Sequence, residues 1–319
     1  MDPVARAALA TIAYFDLFQV PLTALEVWRN LFWPALSERQ RVEGPAPGLG
    51  DVEAALARLV AAGKLVSQDG YVSLPGGVPA SARLMREADA LRKWRRLRFG
   101  ARLLSGVPFL KGIAVVNTLP IGAARRESDI DVLLVARAGR LYTMRFVAVA
   151  VATLCGFYRS RENVANQLCL SFSLTEKALD IMPLAKTGGD PHLQFWLANA
   201  HVISERDRVF DIFWRANATF LTPLPNARLR RLPKPVRPPR VLAILRDAAE
   251  RLLAGSFGDR VESWARNLQM RRFAANTQSR ARRGGTDVVI SDDVLKFHER
   301  DTREEIRTRW AQRRAVLGV

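Results

Sequence analysis

Two aspartates two residues apart, Asp129 and Asp131, are the residues of this chain best placed by type and spacing to do chemistry. They stand in SDIDVLLV, residues 128–135, where the apolar, β-branched run after Asp131 predicts a buried strand. Side chains alternate along a strand, so both carboxylates point the same way while Ile130 points into the core. Strand rise sets the two about 7 Å apart. Paired carboxylates at a strand's entry end suit a hard divalent cation such as Mg2+, and through it two-metal phosphoryl or nucleotidyl transfer. Upstream lie a second apolar run, residues 112–116, and a short loop, 117–128, that carries Gly122, Arg125 and Arg126.

The elements that hold this pair are legible around it. A long apolar helix is expected behind it at 139–157, followed by Arg159 and Arg161. A second strand is expected at 166–174, with Leu168, Leu170, Phe172 and Leu174 on one face and Cys169, Ser171 and Ser173 on the other. Residues 190–220 read as helical, begun by Asp190-Pro191, with Phe195, Trp196, Phe210, Phe213 and Trp214 as core. Toward the N-terminus, helices are expected at 4–18, 24–32 and 51–62. Thr23 and Glu26 form a capping-box signature, residues 34–50 a Pro- and Gly-rich loop, and Asp51 a cap. A hairpin turning at Asp69-Gly70 is expected over 64–74. Three helices and a hairpin make a winged-helix pattern. Its recognition position carries only Arg58 as a base, so DNA reading and a packing or protein-contact role both stand.

A basic helix is expected at 81–104, with Leu91, Trp94 and Leu97 inward and the run Arg92, Lys93, Arg95, Arg96, Arg98 on an exposed face, either solvated or against phosphates. Residues 223–239 read as a Pro- and Arg-rich linker. Helices are expected at 241–283 and 295–315, with a turn, a short strand and an N-cap at Ser291 or Asp292 between them.

SDIDVLLV, with a strand and a small-residue loop before it, resembles the signature of the polymerase-β-like nucleotidyltransferase superfamily. In that superfamily a strand leads to Gly-Ser, then a short helix, then a strand bearing Asp-x-Asp. The Gly-Ser holds nucleotide phosphates, the two Asp bind metals, and a third carboxylate on a later strand completes the site. Asn117 and Thr118 stand in the Gly-Ser place here. Asn tolerates left-handed backbone and Thr keeps a hydroxyl. Ser171 and Ser173 stand where the third carboxylate is expected, with Glu176 and Asp180 just beyond. The order of segments, with TIAYFDLFQVPLTALEVW, CLSFSLTEKALDI, FWRANATF and DDVLKFHERD, resembles bacterial nucleotidyltransferase-domain proteins with an N-terminal winged helix.

The resemblance implies an α+β chain: a winged-helix domain at 1–80, a connector helix at 81–110, a nucleotidyltransferase-like mixed sheet with flanking helices at 111–222, a linker at 223–240 and a basic helical region at 241–319. It implies an Mg2+-dependent enzyme moving an NMP from an NTP to an acceptor. Asp129 and Asp131 would be catalytic metal ligands, two ions being expected. Asn117, Thr118 and Ser128 would contact the nucleotide, and Arg125 or Arg126 the leaving pyrophosphate. The alternative is a lapsed member that binds nucleotide or nucleic acid as a regulator.

Composition bounds the rest. Hydrophobic content of 49% and charged content of 25% are ordinary for a soluble globular protein. The formal net charge is +18, and residues 227–319 hold 22 bases against 11 acids. Such an excess favours acidic partners, RNA or DNA first and an anionic membrane surface second, or reflects free use of Arg, which far outnumbers Lys. Cys155 and Cys169 lie in apolar runs and read as buried thiols. His192, His201 and His298 lack zinc spacing. With no signal-peptide pattern and no apolar run long enough to span a bilayer, the expected place is the cytoplasm, with no membrane partner.

Overall fold

A computed structural model describes residues 1–33, 46–160, 162–275, 285–298 and 301–319. Arg161, most of the expected 34–50 loop and the last residues of the expected 241–283 helix fall outside these.

The N-terminal elements follow their local signals. Helix α1 (Pro3–Asp16) opens with Pro at its first position and with the Asp2 side chain accepting from the Ala5 amide at 2.9 Å. Strand β1 (Leu22–Thr23) runs into α2 (Ala24–Arg29), and both halves of the Thr23/Glu26 capping box are made. Helix α3 (Leu49–Ala61) starts two residues earlier than expected. Gly48 is its N-cap, and Asp51 reaches back from the third helical position to the Gly48 amide at 2.8 Å. Strands β2 (Val66–Gln68) and β3 (Tyr71–Ser73) pair antiparallel across Asp69-Gly70. Both turn residues have positive φ (50° and 79°), the requirement that makes Asp-Gly a hairpin turn. The sheet order is β1-β3-β2.

Helix α4 (Ala80–Leu104) leads to the central sheet. Its apolar stripe differs from expectation: Leu97 is buried and Trp94 partly so, but Leu91 is 61% exposed. Lys93, read as one of the exposed bases, is fully buried.

The central sheet gathers β4 (Leu110–Val115), β5 (Ile130–Ala136), β6 (Leu168–Thr175), β7 (His201–Glu205), β8 (Arg230–Arg231), β9 (Val288–Ile290) and β10 (Val294–Phe297). Interspersed are α5 (Leu141–Leu154), α6 (Pro191–Ala198), α7 (Val209–Ala216), α8 (Arg240–Leu252), α9 (Ser256–Ala275) and α10 (Arg303–Leu317). The sheet is mixed, in the order β8-β7-β4-β5-β6-β10-β9; β4 and β5 pair antiparallel, β5 and β6 parallel. Apolar side chains cover both faces. Ala114, Val116, Leu133, Val135, Phe172 and Leu174 join a core shared with the N-terminal helices, α6 and α10. Ile113, Val115, Ile130, Val132, Leu134, Leu168 and Leu170 join one with α4 and α5.

Three expectations are corrected here. Residues 190–220 are not continuously helical, because β7 interrupts them. Asn199 closes α6, and the β-branched Val202 and Ile203 that follow sit in the sheet beside β4. Residues 295–297 are strand, not helix, and the N-cap expected at Ser291 or Asp292 is instead the turn of the β9–β10 hairpin. That hairpin extends the central sheet, so the C-terminal region is not wholly helical. Cys155 is exposed at the end of α5, while Cys169 is buried. Among the described residues no helix is long and apolar enough to cross a membrane.

Candidate active site

The turn between β4 and β5 brings the acidic pair to the edge of a cavity. Asn117 takes the left-handed backbone (φ 66°) at the end of β4, the conformation that Asn tolerates among non-glycine residues. Its side-chain amide donates to Asp131 Oδ2 at 2.9 Å. From the other side, Arg159 Nε lies 2.9 Å from Asp129 Oδ2, and its guanidinium also reaches Cys169 Sγ at 3.7 Å. Burial, and then the neighbouring charge of Asp129, push the Asp131 carboxyl up to about 6.

A β-bulge decides what faces the pair. Asp131 is the register partner of Cys169, but Leu133 is the partner of Phe172, so β6 carries an extra residue between them. Cys169 and Phe172 therefore share the face of Asp131 and Leu133. Strict alternation would aim Ser171 and Ser173 there. Ser171 does line the cavity, its Oγ 3.5 Å from His298 Nε2. Ser173 is turned to the opposite face as the partner of Leu134, buried and with an unpartnered hydroxyl. Cys169 is thus the side chain beside Asp131, and the two carboxylates and the sulfur offer donor atoms within 4.8 Å of one another. Burial and the Asp131 charge push the thiol up to about 12, so it is a neutral SH at ordinary pH.

The cavity has a volume of about 500 Å3. Asn117, Asp129, Asp131, Arg159 and Cys169 line it together with Trp196, His192, Lys296, His298, Asp301 and Arg303. Burial lowers His192 and His298 to about 4, which keeps both imidazoles neutral. Lys296 is lowered to about 8 by burial and by Arg303.

The other residues marked in the sequence lie apart from this cavity. Thr118 accepts the Ala123 amide through its carbonyl at 2.9 Å. Arg125 is exposed and donates to Gln19 Oε1 at 3.3 Å. Arg126 is exposed, and Ser128 Oγ donates to the Arg125 carbonyl at 2.9 Å. The cations at the cavity are Arg159, Lys296 and Arg303 instead. Arg159 was visible as the base that ends the segment after α5. Lys296 and His298 had no signal while their strand was read as helix.

Beneath the turn, Lys93 of α4 donates from its ammonium to the Ser128 carbonyl (2.5 Å), the Arg126 carbonyl (3.3 Å) and Asn166 Oδ1 (3.1 Å). It clamps the residues that lead into Asp129. Lys93→Met keeps the stem but leaves these acceptors unpaired, and we expect it to cost about 2–3 kcal/mol. Urea unfolding of the two proteins measures this, and a loss below about 0.5 kcal/mol would show that the clamp is idle.

Asp129 and Asp131 could each offer one carboxylate oxygen to a cation, beside the Cys169 sulfur. A protonated thiol is a poor third ligand for a hard divalent ion. No protein-family model, curated protein or solved structure matches this chain, so the geometry of the cavity is what a functional reading rests on.

Proposed function

We propose that the cavity binds the phosphates of a nucleoside triphosphate through a divalent cation held by Asp129 and Asp131, and that the protein is an Mg2+-dependent nucleotidyltransferase. The observation that carries this reading is that two convergent carboxylates share one cavity of nucleotide size with Arg159 and Lys296. Carboxylates alone would repel a phosphate chain, and cations alone would not need them. Together they suit an anion that arrives with a metal.

The bound ion would supply charge neutralisation at the transferring phosphoryl group. The protein's own groups do the rest. Asn117 holds Asp131 in orientation through its amide. Arg159 balances Asp129 and turns toward phosphate oxygens once that carboxylate is engaged elsewhere. Lys296 adds a cation to the cavity, while the charge of Arg303 is met by Asp190 and Asp301. Trp196 offers a partly exposed ring in the same cavity for the nucleoside.

A second reading is nucleotide binding without transfer, in a regulator. Cys169 favours it, since a neutral thiol beside Asp131 does not take a proton from an attacking hydroxyl as a carboxylate would. The N-terminal three helices and β1-β3-β2 sheet suit a winged-helix module. Its α3 offers one base, Arg58, and that is paired with Asp2, so we assign the module to protein contact rather than to DNA reading.

A screen separates the readings. Melting is followed with each NTP, with and without Mg2+, beside transfer of labelled NMP to RNA, to protein and to water. Metal-dependent stabilisation by about 2–3 kcal/mol at a hundredfold excess over Kd is expected for either reading. Transfer selects the enzyme. No response to any NTP in Mg2+ would remove both.

A further inference from the structure

Helix α9 spends its acids on the protein and leaves arginines facing out. At 3.6 residues per turn, Gly258, Glu262, Ala265 and Gln269 fall on one side. That side is the seat: Ala265 and Gln269 are buried, Glu262 accepts from the amides of Tyr142 and Thr143 at 2.8 Å each, and Gln269 donates to the Tyr142 carbonyl at 2.8 Å. Opposite lie Phe257, Arg260, Trp264, Asn267 and Arg271, in an aromatic, basic, aromatic, polar, basic sequence along one stripe. Phe257 is 53% exposed and Trp264 54%. An edge contact with Phe146, centroids 5.2 Å apart, orients the Trp264 ring without covering it. Asp259 is paired with Arg140 and Asp292 with Arg266, each at 2.8 Å. Neither Arg260 nor Arg271 has a hydrogen-bond or ion-pair partner among the described residues.

We propose that this stripe binds single-stranded nucleic acid, independently of the acidic cavity. Trp264 and Phe257 would stack on bases, while Arg260 and Arg271 would meet phosphates. The two arginines are eleven residues apart on the helix, roughly 16 Å, the reach of a few nucleotides. Charge complementarity points to a polyanion, because the chain carries +18 and the acids near this stripe are already paired. Exposed rings one turn from Arg260 and two turns from Arg271 point to unpaired bases, which a duplex would keep stacked inside itself. A lipid surface would be met by a broad aliphatic face with a cationic rim, not by aromatics alternating with arginine along one stripe.

The test is fluorescence anisotropy of a labelled mixed-sequence RNA of about 20 nucleotides with the full chain, in EDTA, over a salt series from about 50 to 300 mM. Trp264→Ala should weaken binding roughly tenfold with the salt slope unchanged. Arg260→Gln with Arg271→Gln should weaken it and lower the slope of log K against log salt by about 1.4, two phosphate contacts at about 0.7 each. Asp129→Asn should bind RNA as the parent does. All three changes lie on the surface or preserve volume, and circular dichroism checks that each variant is folded. Unchanged affinity and slope in both stripe variants would overturn the proposal. So would equal affinity for the duplex, or binding to phosphatidylserine vesicles in place of RNA.

Discussion

Asp131→Asn melts higher than the parent in the absence of metal, and loses the stabilisation that Mg2+ and NTP give the parent. The first half follows from the position of the carboxyl. Its pKa is held at about 6 by burial and by Asp129, above the ordinary carboxylate value near 3.9. A native state that binds a proton the unfolded chain has released is favoured at low pH. Metal-free stability therefore falls as pH rises through the window from about 4 to about 6, and the deficit persists at neutral pH. Asn has nearly the same volume and carries no charge, so the variant should be flat through that window.

Asp129→Asn should differ. It gives up a partly exposed ion pair with Arg159, worth about 0–1 kcal/mol, but relieves Asp131 of its like-charged neighbour, and so should melt at or slightly above the parent without metal. Both variants should lose metal-dependent stabilisation and NMP transfer. Residues that merely orient metal ligands cost 10–100-fold when replaced, and a direct ligand should cost on the order of 100-fold or more. Melting in EDTA and in Mg2+ with NTP, at several pH values, checks the stability half, and labelled-NMP transfer the rest. A full metal response in either variant would remove the acidic pair from the site. A response without transfer in the parent would favour binding alone.

The acidic pair, the left-handed Asn117 and the N-terminal hairpin were legible because each is a local rule: strand alternation, a tolerated backbone region, a turn dipeptide. What faced the pair was not. A single extra residue in β6 brings Phe172 onto the face that Cys169 occupies and turns Ser173 away, and no composition signal marks a bulge. The β10 side of the cavity was hidden for another reason. Leu295, Lys296 and Phe297 are adjacent to a helix-forming stretch. Only their pairing with β6, more than a hundred residues earlier, makes them strand. Lys93 illustrates a third kind of miss. A lysine inside a run of exposed arginines reads as surface, and it is buried because carbonyls from a distant turn satisfy it.

Arg303→Met should be among the most destabilising single changes in the chain, at about 3–5 kcal/mol, because it strands two buried carboxylates. Arg303 is 7% exposed and lies at the start of α10. Its Nη1 is 2.7 Å from Asp190 Oδ2 and its Nη2 2.7 Å from Asp301 Oδ2, and it also donates to the carbonyls of Leu184 and Thr286 at 2.8 and 3.1 Å. Asp190 in turn caps α6 through the Leu193 amide at 2.9 Å, so one guanidinium ties the C-terminal helix to the element behind the cavity. Met fills much of the same space but supplies no charge and no donor. Although Asp301 is partly desolvated, its bonds to Arg303 hold its carboxyl well below the usual carboxylate range. A depressed pKa contributes stability that is fully present above about 4, the unfolded value, and is lost as pH falls toward the folded one. In the variant the same carboxyl is buried without its main partner, and protonation relieves it. The gap between parent and variant should thus be widest at neutral pH and narrow as pH drops below about 4. Urea unfolding at both pH values measures it. A gap under about 1 kcal/mol at neutral pH, or one that does not narrow in acid, would mean that Lys186, 3.5 Å from Asp301, already carries the charge balance. Arg303→Met combined with Asp301→Asn should then recover part of the loss at neutral pH, since the pair fails mainly by leaving a charge behind.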